Sequence, residues 1–231
     1  MLCRPIPTTD VEQWNDTLAR EHDIDDYYRH SGWAIRWVEY RRLRIIRRMV
    51  RIQPGESLLE VGCGGGHVLA MFPGANLTGL DVSGVILAKA RSNLAHLNAR
   101  LVKGEITDID LPDDAFDKAV CTEVLEHIID PEEILRQLQR VVVPGGTIVV
   151  TFPNDGLINQ IKSFIRRVKL TKLPAFRCIA WGADEYHLHV WSPAEMRDLL
   201  SRYFTVTRAS SAPLAVIPLR CCFTCVNDRK R

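Results

Sequence analysis

The sequence predicts an α/β protein with a Rossmann-like, doubly wound sheet whose strands are mainly parallel. Between residues 57 and 152, short apolar runs alternate with stretches of helical periodicity, and several runs end in an acidic residue. A glycine-dense turn at residues 62–66 directly follows the first run. Alternating strands and helices form a parallel sheet with helices on both faces, and such sheets bind ligands where their strands end. We therefore expect a ligand site at that edge of the sheet.

The individual elements follow from local patterns. Ser83 and Asp130 are suitable N-cap residues, and Pro131 suits the first position of a helix. The dipeptide Ser192-Pro193 begins another helix near the end of the chain. The predicted helices cover residues 66–72, 83–98, 131–141 and 192–202. The predicted strands cover residues 57–61, 77–81, 99–103, 116–121, 147–152, 204–207 and 214–222.

The first 55 residues are predicted to form a helical cap or lid, separate from the ligand-binding domain at 56–231. Apolar residues mix with arginines at helical spacing between Trp33 and Met49, and Gln53-Pro54-Gly55 ends the pattern. We favour a helix that caps the sheet, since long arginine stems can lie along apolar surface. A lid over the ligand pocket is the alternative.

The glycine turn and an acid further along the chain together predict a nucleoside-containing cofactor. Glycines at a turn allow positive φ and let a ligand approach the backbone closely. Asp81 comes 19 residues after Gly62 and ends the second apolar run, where a carboxylate can accept bonds from a ribose diol. The dinucleotide fingerprint would need a third glycine where His67 stands. Because Glu60 would repel a pyrophosphate, a cationic cofactor such as S-adenosylmethionine fits better.

At this point the sequence resembles the class I S-adenosylmethionine-dependent methyltransferases of type 11, which include enzymes of ubiquinone and menaquinone pathways. The resemblance is strong over about residues 56–153. It is carried by the glycine turn and by Gly104-Glu105-Ile106, Leu111-Pro112-Asp113-Asp114-Ala115-Phe116-Asp117, Thr122-Glu123-Val124-Leu125-Glu126-His127 and Val143-Pro144-Gly145-Gly146-Thr147. It implies a seven-stranded sheet that ends in an antiparallel C-terminal hairpin, with an antiparallel strand at the edge.

The resemblance also implies which residues hold S-adenosylmethionine. The methionine part would lie against Glu60 and the turn that contains Gly62, Cys63, Gly64 and Gly66. Asp81 would bind the ribose and Val82 would cover the adenine face. Glu105 and Ile106 would flank the adenine edge, and Thr122 would line the floor of the pocket through its backbone.

Composition limits the remaining possibilities. The 231 residues suit one core of useful size, and the net charge of +2 does not by itself indicate nucleic acid. Seven scattered cysteines, and a start without the apolar core of a signal peptide, indicate a cytoplasmic protein with free thiols. Cys222 and Cys225 have a zinc-ligand spacing, but no second pair completes the site. No apolar run has the length of a membrane span.

Residues 155–186 are predicted to be a substrate-side insertion. Apolar residues recur at helical spacing from Leu157 to Val168, and lysines and arginines occupy the other positions. A basic amphipathic helix of this kind can bind a membrane surface or a lipid-like substrate. Peripheral membrane contact through about residues 157–170 is therefore one hypothesis for this segment. A helix packed on its own domain, with a solvated basic face, is the favoured alternative.

Three histidines are candidate catalytic residues: His127, His187 and His189. Methyl transfer from a sulfonium is an in-line displacement, and a hydroxyl acceptor also needs a base, for which histidine is the usual choice. His127 follows the fourth strand, and on an extended segment the side chains of His187 and His189 would point the same way. A metal held with Asp184 or Glu185 is conceivable, but we expect none. Glu123 and Glu126 are expected to orient the loop or the cofactor.

The predicted activity is methyl transfer to an oxygen of a small-molecule or lipid-like acceptor. The chain lacks the Asn/Asp-Pro-Pro-Tyr/Phe tetrapeptide typical of enzymes that methylate nucleic-acid bases, so nucleic acid is unlikely. An RNA-modifying enzyme remains an alternative because residues 36–51 and 162–172 are rich in basic side chains. A non-catalytic module that binds S-adenosylmethionine is another. An NAD-dependent oxidoreductase is disfavoured by Glu60 and His67. The sequence identifies neither the acceptor nor the oligomeric state.

Overall fold

A computed structural model of the chain describes residues 15–17, 31–169 and 187–229. Seven strands form one sheet in the order β3-β2-β1-β4-β5-β7-β6. The strands are β1 (Ser57–Val61), β2 (Asn76–Asp81), β3 (Ala99–Lys103), β4 (Phe116–Thr122), β5 (Val142–Pro153), β6 (Thr205–Leu214) and β7 (Ile217–Val226). The helices are α1 (Trp33–Val50), α2 (Gly84–Asn93), α3 (Pro131–Val141), α4 (Asp155–Arg167) and α5 (Pro193–Ser201).

The sheet confirms the predicted Rossmann-like fold. Strands β1 to β5 pair in parallel, and their order reverses direction between β1 and β4. The last two strands form the expected antiparallel hairpin at the edge. Strand β7 pairs antiparallel with β5, and β6 forms the edge of the sheet. The strand that runs opposite to the others is therefore β7, one place inside the edge. The parallel strands therefore end along one rim, and the strand order reverses between the neighbouring strands β1 and β4.

Some elements differ in length from the prediction. The helix expected at 66–72 is only a 3-10 turn, Leu69–Met71. The backbone stays in a turn at Gly64 and Gly66, both at positive φ, and β2 begins soon afterwards. Helix α2 ends at Asn93 because the chain turns back through residues 94–98 to enter β3. Ser83 and Asp130 cap their helices as predicted.

Two apolar clusters cover the two faces of the sheet. Neighbouring residues of one strand belong to different clusters, as Leu58 and Leu59 do in β1. A strand buried on both faces is typical of a parallel sheet between helix layers. Helices α3 and α5 contribute to one cluster, and α1 contributes Ile46, Met49 and Val50 to the other. The arginine-rich helix thus packs on the sheet.

The C-terminal cysteines belong to this packing. Cys222 lies in one cluster and Cys225 in the other, on opposite faces of β7. Both thiols are buried and free. Side chains on opposite faces of a strand cannot share one ion, so the spacing of these cysteines does not form a zinc site. Among the described residues, none of the helices combines the length and apolar composition needed to cross a membrane.

Candidate active site

The glycine turn joins β1 to the rim where the parallel strands end. Gly62, Gly64 and Gly66 have φ values of 68°, 50° and 79°. A Cβ atom at Gly62 would lie 2.3 Å from the Val124 Cγ2 atom, closer than any real contact. Glycine is therefore required there for both its backbone conformation and its lack of a side chain. The backbone amide of Cys63 donates to the Leu80 carbonyl at 2.8 Å, which fixes the turn beside β2.

Asp81 links the turn to the second strand. Its carboxylate accepts hydrogen bonds from the backbone amides of Gly64 at 2.9 Å and Ser83 at 3.0 Å. Burial raises the pKa of this carboxyl, and these two bonds partly oppose the rise. A carboxylate has about four acceptor positions, so Asp81 keeps capacity for a ligand hydroxyl. Binding of the ribose by Asp81 stays a prediction.

Asp16 is a residue at this end of the site that the sequence analysis missed. Its carboxylate accepts a hydrogen bond from the Ser83 hydroxyl at 2.6 Å and from the Val85 amide at 3.3 Å. Its negative charge also contributes to the raised pKa of Asp81. Nothing local marks Asp16, because it comes from a polar N-terminal stretch that is far from Ser83 in sequence.

Glu60 is a buried carboxylate at the end of β1, with only 1% of its surface exposed. Its Oε2 atom has no hydrogen-bond partner among the residues that the structure describes. Burial raises the pKa of this carboxyl well above its usual range. A buried carboxylate that lacks a full set of partners favours a cationic neighbour, because a positive charge stabilises its ionised form.

The other predicted cofactor residues lie around the same rim. Val82 and Glu105 are half-buried after β2 and β3, and Thr122 is buried at the end of β4. Ile106 is packed within the core. The amide of Gly104 donates to the Asp81 carbonyl at 3.0 Å and holds the third loop against the second. The contacts of these residues with the cofactor stay a prediction.

The loop after β4 forms the opposite side of the rim. It contains a 3-10 turn, Leu125–His127, and within it Glu126 is 1% exposed. Neither carboxylate oxygen of Glu126 has a hydrogen-bond partner in the described part of the chain. Burial, reinforced by the negative charge of Glu123, raises the pKa of the Glu126 carboxyl well above its usual range. This side chain therefore needs a proton or a cation.

His187 lies beside this turn and is held by a carboxylate. Its Nδ1 atom is 2.6 Å from Oδ2 of Asp155, and each side chain is 10% exposed. The His127 and His187 rings meet edge to face, with centroids 4.8 Å apart. Asp155 is the first residue of α4, directly after β5. The acid-at-strand-end rule that selected Glu60 and Asp81 could have found it.

His189 has different partners from His187. Its Nε2 atom is 2.9 Å from the Ile128 carbonyl, and its ring stacks on Trp191 at 4.9 Å. The amides of Leu188 and His189 both donate to the Glu126 carbonyl. The two histidines therefore do not form the pair that an extended segment predicts, because His187 reaches His127 and Asp155 instead. His189 fastens the segment to the loop after β4.

Three side chains on this side could hold a metal ion. The ligand atoms of Glu126, His127 and His187 lie within 4.8 Å of one another. One carboxylate and two imidazoles form a common ligand set for first-row transition metals. The ligand set suggested by the sequence pairs His187 and His189 with Asp184 or Glu185, and these two acidic residues lie outside the described residues. Only the fold brings the three present side chains together.

Comparisons with known proteins agree with this geometry. A family model described as a methyltransferase domain matches residues 59–150. The ubiquinone biosynthesis O-methyltransferase of Alkalilimnicola ehrlichii is 34% identical over 165 residues, which are 64% of this chain and 64% of that protein. The enzyme of the same name from Pseudomonas aeruginosa is 33% identical over 105 residues, 43% of this chain but only 45% of its own length.

A solved structure shares the fold over most of the chain. It is the N-methyltransferase NodS from Bradyrhizobium japonicum in complex with S-adenosyl-L-homocysteine. Its TM-score is 0.65 at 18% identity, with 92% of this chain and 97% of that chain covered. The matched family model shows that the chain contains a methyltransferase domain at residues 59–150, in a fold shared with a methyltransferase that binds S-adenosyl-L-homocysteine.

Proposed function

We propose that this protein transfers a methyl group from S-adenosylmethionine to an oxygen of a small-molecule or lipid-like acceptor. The observation that carries this proposal is the Asp155–His187 pair, which lies beside His127 at the rim where the cofactor turn ends. A carboxylate that orients an imidazole is a common arrangement for a general base. The O-methyltransferase names of two relatives agree with an oxygen acceptor.

The cofactor side supports S-adenosylmethionine through charge and shape. Glu60 supplies a buried negative charge for the sulfonium or the ammonium group, and Asp81 keeps acceptor capacity for the ribose hydroxyls. Gly62, Gly64 and Gly66 let the methionine part contact the backbone. A pyrophosphate would meet Glu60 with the same charge, which disfavours a dinucleotide.

The part of the rim that carries Glu126, His127, Asp155 and His187 is the proposed acceptor side, and it would activate the hydroxyl group of the acceptor. If Nδ1 of His187 donates to Asp155, its Nε2 atom carries no proton and can take one from the acceptor. The acceptor oxygen then attacks the methyl carbon as the carbon–sulfur bond breaks, and S-adenosylhomocysteine leaves. Holding the two reactants in line supplies much of the rate, since well-oriented reactions can reach effective molarities of about 10⁵ M or more.

A divalent cation bound by Glu126, His127 and His187 is the second candidate for activating the acceptor. The buried Glu126 carboxylate, whose oxygens have no partner among the described residues, favours it. Metal analysis of the purified protein, followed by chelation and add-back of Zn²⁺ or Mg²⁺, separates the two mechanisms. Activity that survives complete chelation supports the histidine base. Activity that is lost and then restored by one ion supports the cation.

The proposed function is tested in two steps. Calorimetry should show binding of S-adenosylmethionine and S-adenosylhomocysteine but not of NAD. Turnover is then followed with methyl-labelled S-adenosylmethionine and a panel of phenols, catechols, sugars and carboxylates. Labelled product together with S-adenosylhomocysteine establishes catalysis. Cofactor binding without transfer to any extract of small metabolites would favour a non-catalytic binding module.

We also propose that α4 contacts a membrane surface or the lipid-like part of an acceptor. Phe164 is 63% exposed and Val168 is 42% exposed, next to Arg166, Arg167 and Lys169. Exposed apolar side chains beside basic ones favour binding to anionic lipid. Co-sedimentation with vesicles that contain anionic lipid should fall for Phe164→Ser and stay unchanged for Ser163→Ala. Equal co-sedimentation of Phe164→Ser and the unaltered protein would disprove this contact.

A further inference from the structure

Four charged side chains from three separate segments form a compact ion quartet next to the acceptor side. Its members are Glu39, Arg42, Glu123 and Arg220. The Arg220 Nε atom lies 3.1 Å from Glu39 Oε1 and 3.2 Å from Glu123 Oε2. The Arg42 Nε atom lies 2.9 Å from Glu39 Oε2, and its NH1 atom is 4.0 Å from Glu123 Oε1. The quartet joins α1, β7 and the loop after β4.

The quartet is well shielded from water. Glu39 and Arg42 have side chains only 4% and 7% exposed, and those of Arg220 and Glu123 are 21% and 22% exposed. Burial alone would raise the pKa of Glu39, but Arg220 and Arg42 lower it below its usual range. Removing one member would leave a buried charge without its partner, which is costly. The four side chains therefore hold one another in place.

Glu123 attaches this quartet to the loop that contains Glu126 and His127. Its φ of 54° is unusual for a residue other than glycine. The surrounding contacts impose this conformation: the Glu123 amide donates to the Thr151 carbonyl at 3.0 Å, and the Thr151 hydroxyl donates to the Glu123 carboxylate at 2.9 Å. The 3-10 turn with Glu126 and His127 begins two residues later.

We infer that the ion quartet positions the Leu125–His127 turn for methyl transfer, and that Arg220 and Glu39 are positioning residues. This inference rests on the proposed function of the same site. The Glu123 side chain is engaged with Arg220 and Thr151, so its role is to anchor the loop. Helix α1 thereby contributes to the acceptor side through Glu39 and Arg42, in addition to covering the sheet. Loss of Arg220 would release the anchor and let His127 and Glu126 shift relative to His187.

The test compares Arg220→Gln and Arg220→Lys with the matched control Arg202→Gln. Arg202 is a 63% exposed arginine that pairs with Glu132 on the surface. We expect Arg220→Gln to lower kcat by about 10- to 100-fold, because small displacements of reacting groups can cost that much. The Kd for S-adenosylhomocysteine should change far less than kcat, because Arg220 pairs with Glu39 and Glu123, which are not among the residues assigned to the cofactor. Arg220→Lys should recover part of kcat, and the control should match the unaltered protein.

A second measurement does not depend on turnover. Long-range ¹⁵N spectra report the ring nitrogens of His127 and His187 directly, and Arg220→Gln should shift both sets of signals while leaving those of the exposed His96 unchanged. If no acceptor is methylated by the unaltered protein, the proposed function fails, but the spectra still decide whether the quartet positions the turn.

Two results would overturn the inference. One is an Arg220→Gln protein with unchanged kcat and unchanged ring signals. The other is a parallel loss of kcat, cofactor affinity and thermal stability, which would indicate a general structural role. If Arg220→Gln does not fold, Thr151→Val removes only the hydroxyl that holds Glu123. It should produce the same shifts and a smaller fall in kcat, and its failure to do so would equally reject the inference.

Discussion

The proposed cofactor side and the proposed acceptor side of the rim are built in different ways. On the cofactor side, five residues lie within one short stretch: Glu60, Gly62, Gly64, Asp81 and Ser83. The backbone amides of Gly64 and Ser83 donate to the Asp81 carboxylate and fix the arrangement. On the acceptor side, the key groups come from separate segments: the loop at 123–127, the start of α4 at Asp155, and His187. A locally encoded site depends on turn chemistry, whereas an assembled site depends on every element that holds its parts together.

If the two sides are separable in function, removing His187 should abolish transfer and leave cofactor binding intact. We expect His187→Ala to lower kcat by about 10²- to 10⁴-fold, the usual contribution of a general base. Turnover with labelled S-adenosylmethionine measures kcat, and calorimetry measures cofactor Kd. The exposed His96→Ala serves as the control. Full activity of His187→Ala would show that this histidine does not activate the acceptor.

Removal of the Asp81 carboxylate should instead weaken cofactor binding. Asp81→Ala removes a charged acceptor for the ribose, and hydrogen bonds to charged groups contribute about 1.5–3 kcal/mol, or about 10- to 100-fold in Kd. Calorimetry with S-adenosylhomocysteine tests this expectation, with the exposed Asp108→Ala as the control. A Kd that does not change would place the ribose elsewhere on the rim.

A pH experiment examines the buried acid on the acceptor side. The pKa of Glu126 is raised in the folded protein, so between its unfolded value of about 4.3 and the raised value the folded state binds more protons. Stability from this group therefore falls as pH rises through that range. The glutamine of Glu126→Gln does not titrate. In the presence of chelator, the free energy of unfolding of this variant at pH 8 should therefore exceed that of the unaltered protein by about 1–3 kcal/mol.

The free energy of unfolding from denaturant titrations at pH 5 and pH 8 measures this difference, which should shrink at the lower pH. Asp110→Asn, an exposed substitution, should show no comparable pH dependence. A Glu126→Gln protein that is less stable than the unaltered one at pH 8, with chelator present, would mean that Glu126 has a favourable partner.

The smallest expected effect is that of removing the N-cap of α5, which belongs to neither side of the rim. Ser192 caps α5: its hydroxyl accepts from the Glu195 amide at 3.2 Å, and the Glu195 carboxylate accepts from the Ser192 amide at 2.7 Å. Ser192→Ala should lower stability by about 1 kcal/mol. Thermal unfolding should therefore shift by about 2–4 °C. Methyl transfer should not change, and a large loss of activity would link this helix end to the acceptor site.

Much of the fold follows from local signals. Strands β1 and β3 and helix α3 have the bounds predicted from apolar runs and caps. The apolar pattern predicts a helix at 66–72 where the structure has only the 3-10 turn Leu69–Met71, because apolar periodicity does not reveal how far Gly64 and Gly66 extend the preceding turn. On the acceptor side, His127 and His187 could be selected as chemically suitable residues, but their partners could not.

The sequence by itself determined the strand and helix order, the glycine turn with Glu60 and Asp81, and hence the methyltransferase domain and its cofactor. These features depend on backbone conformation and on residues close together in the chain. Only the tertiary structure decided that His187 meets Asp155 and His127, that His189 turns to Ile128, and that Glu39 and Arg220 reach Glu123. Such contacts depend on how distant segments pack, and no local pattern specifies which of several similar side chains will meet.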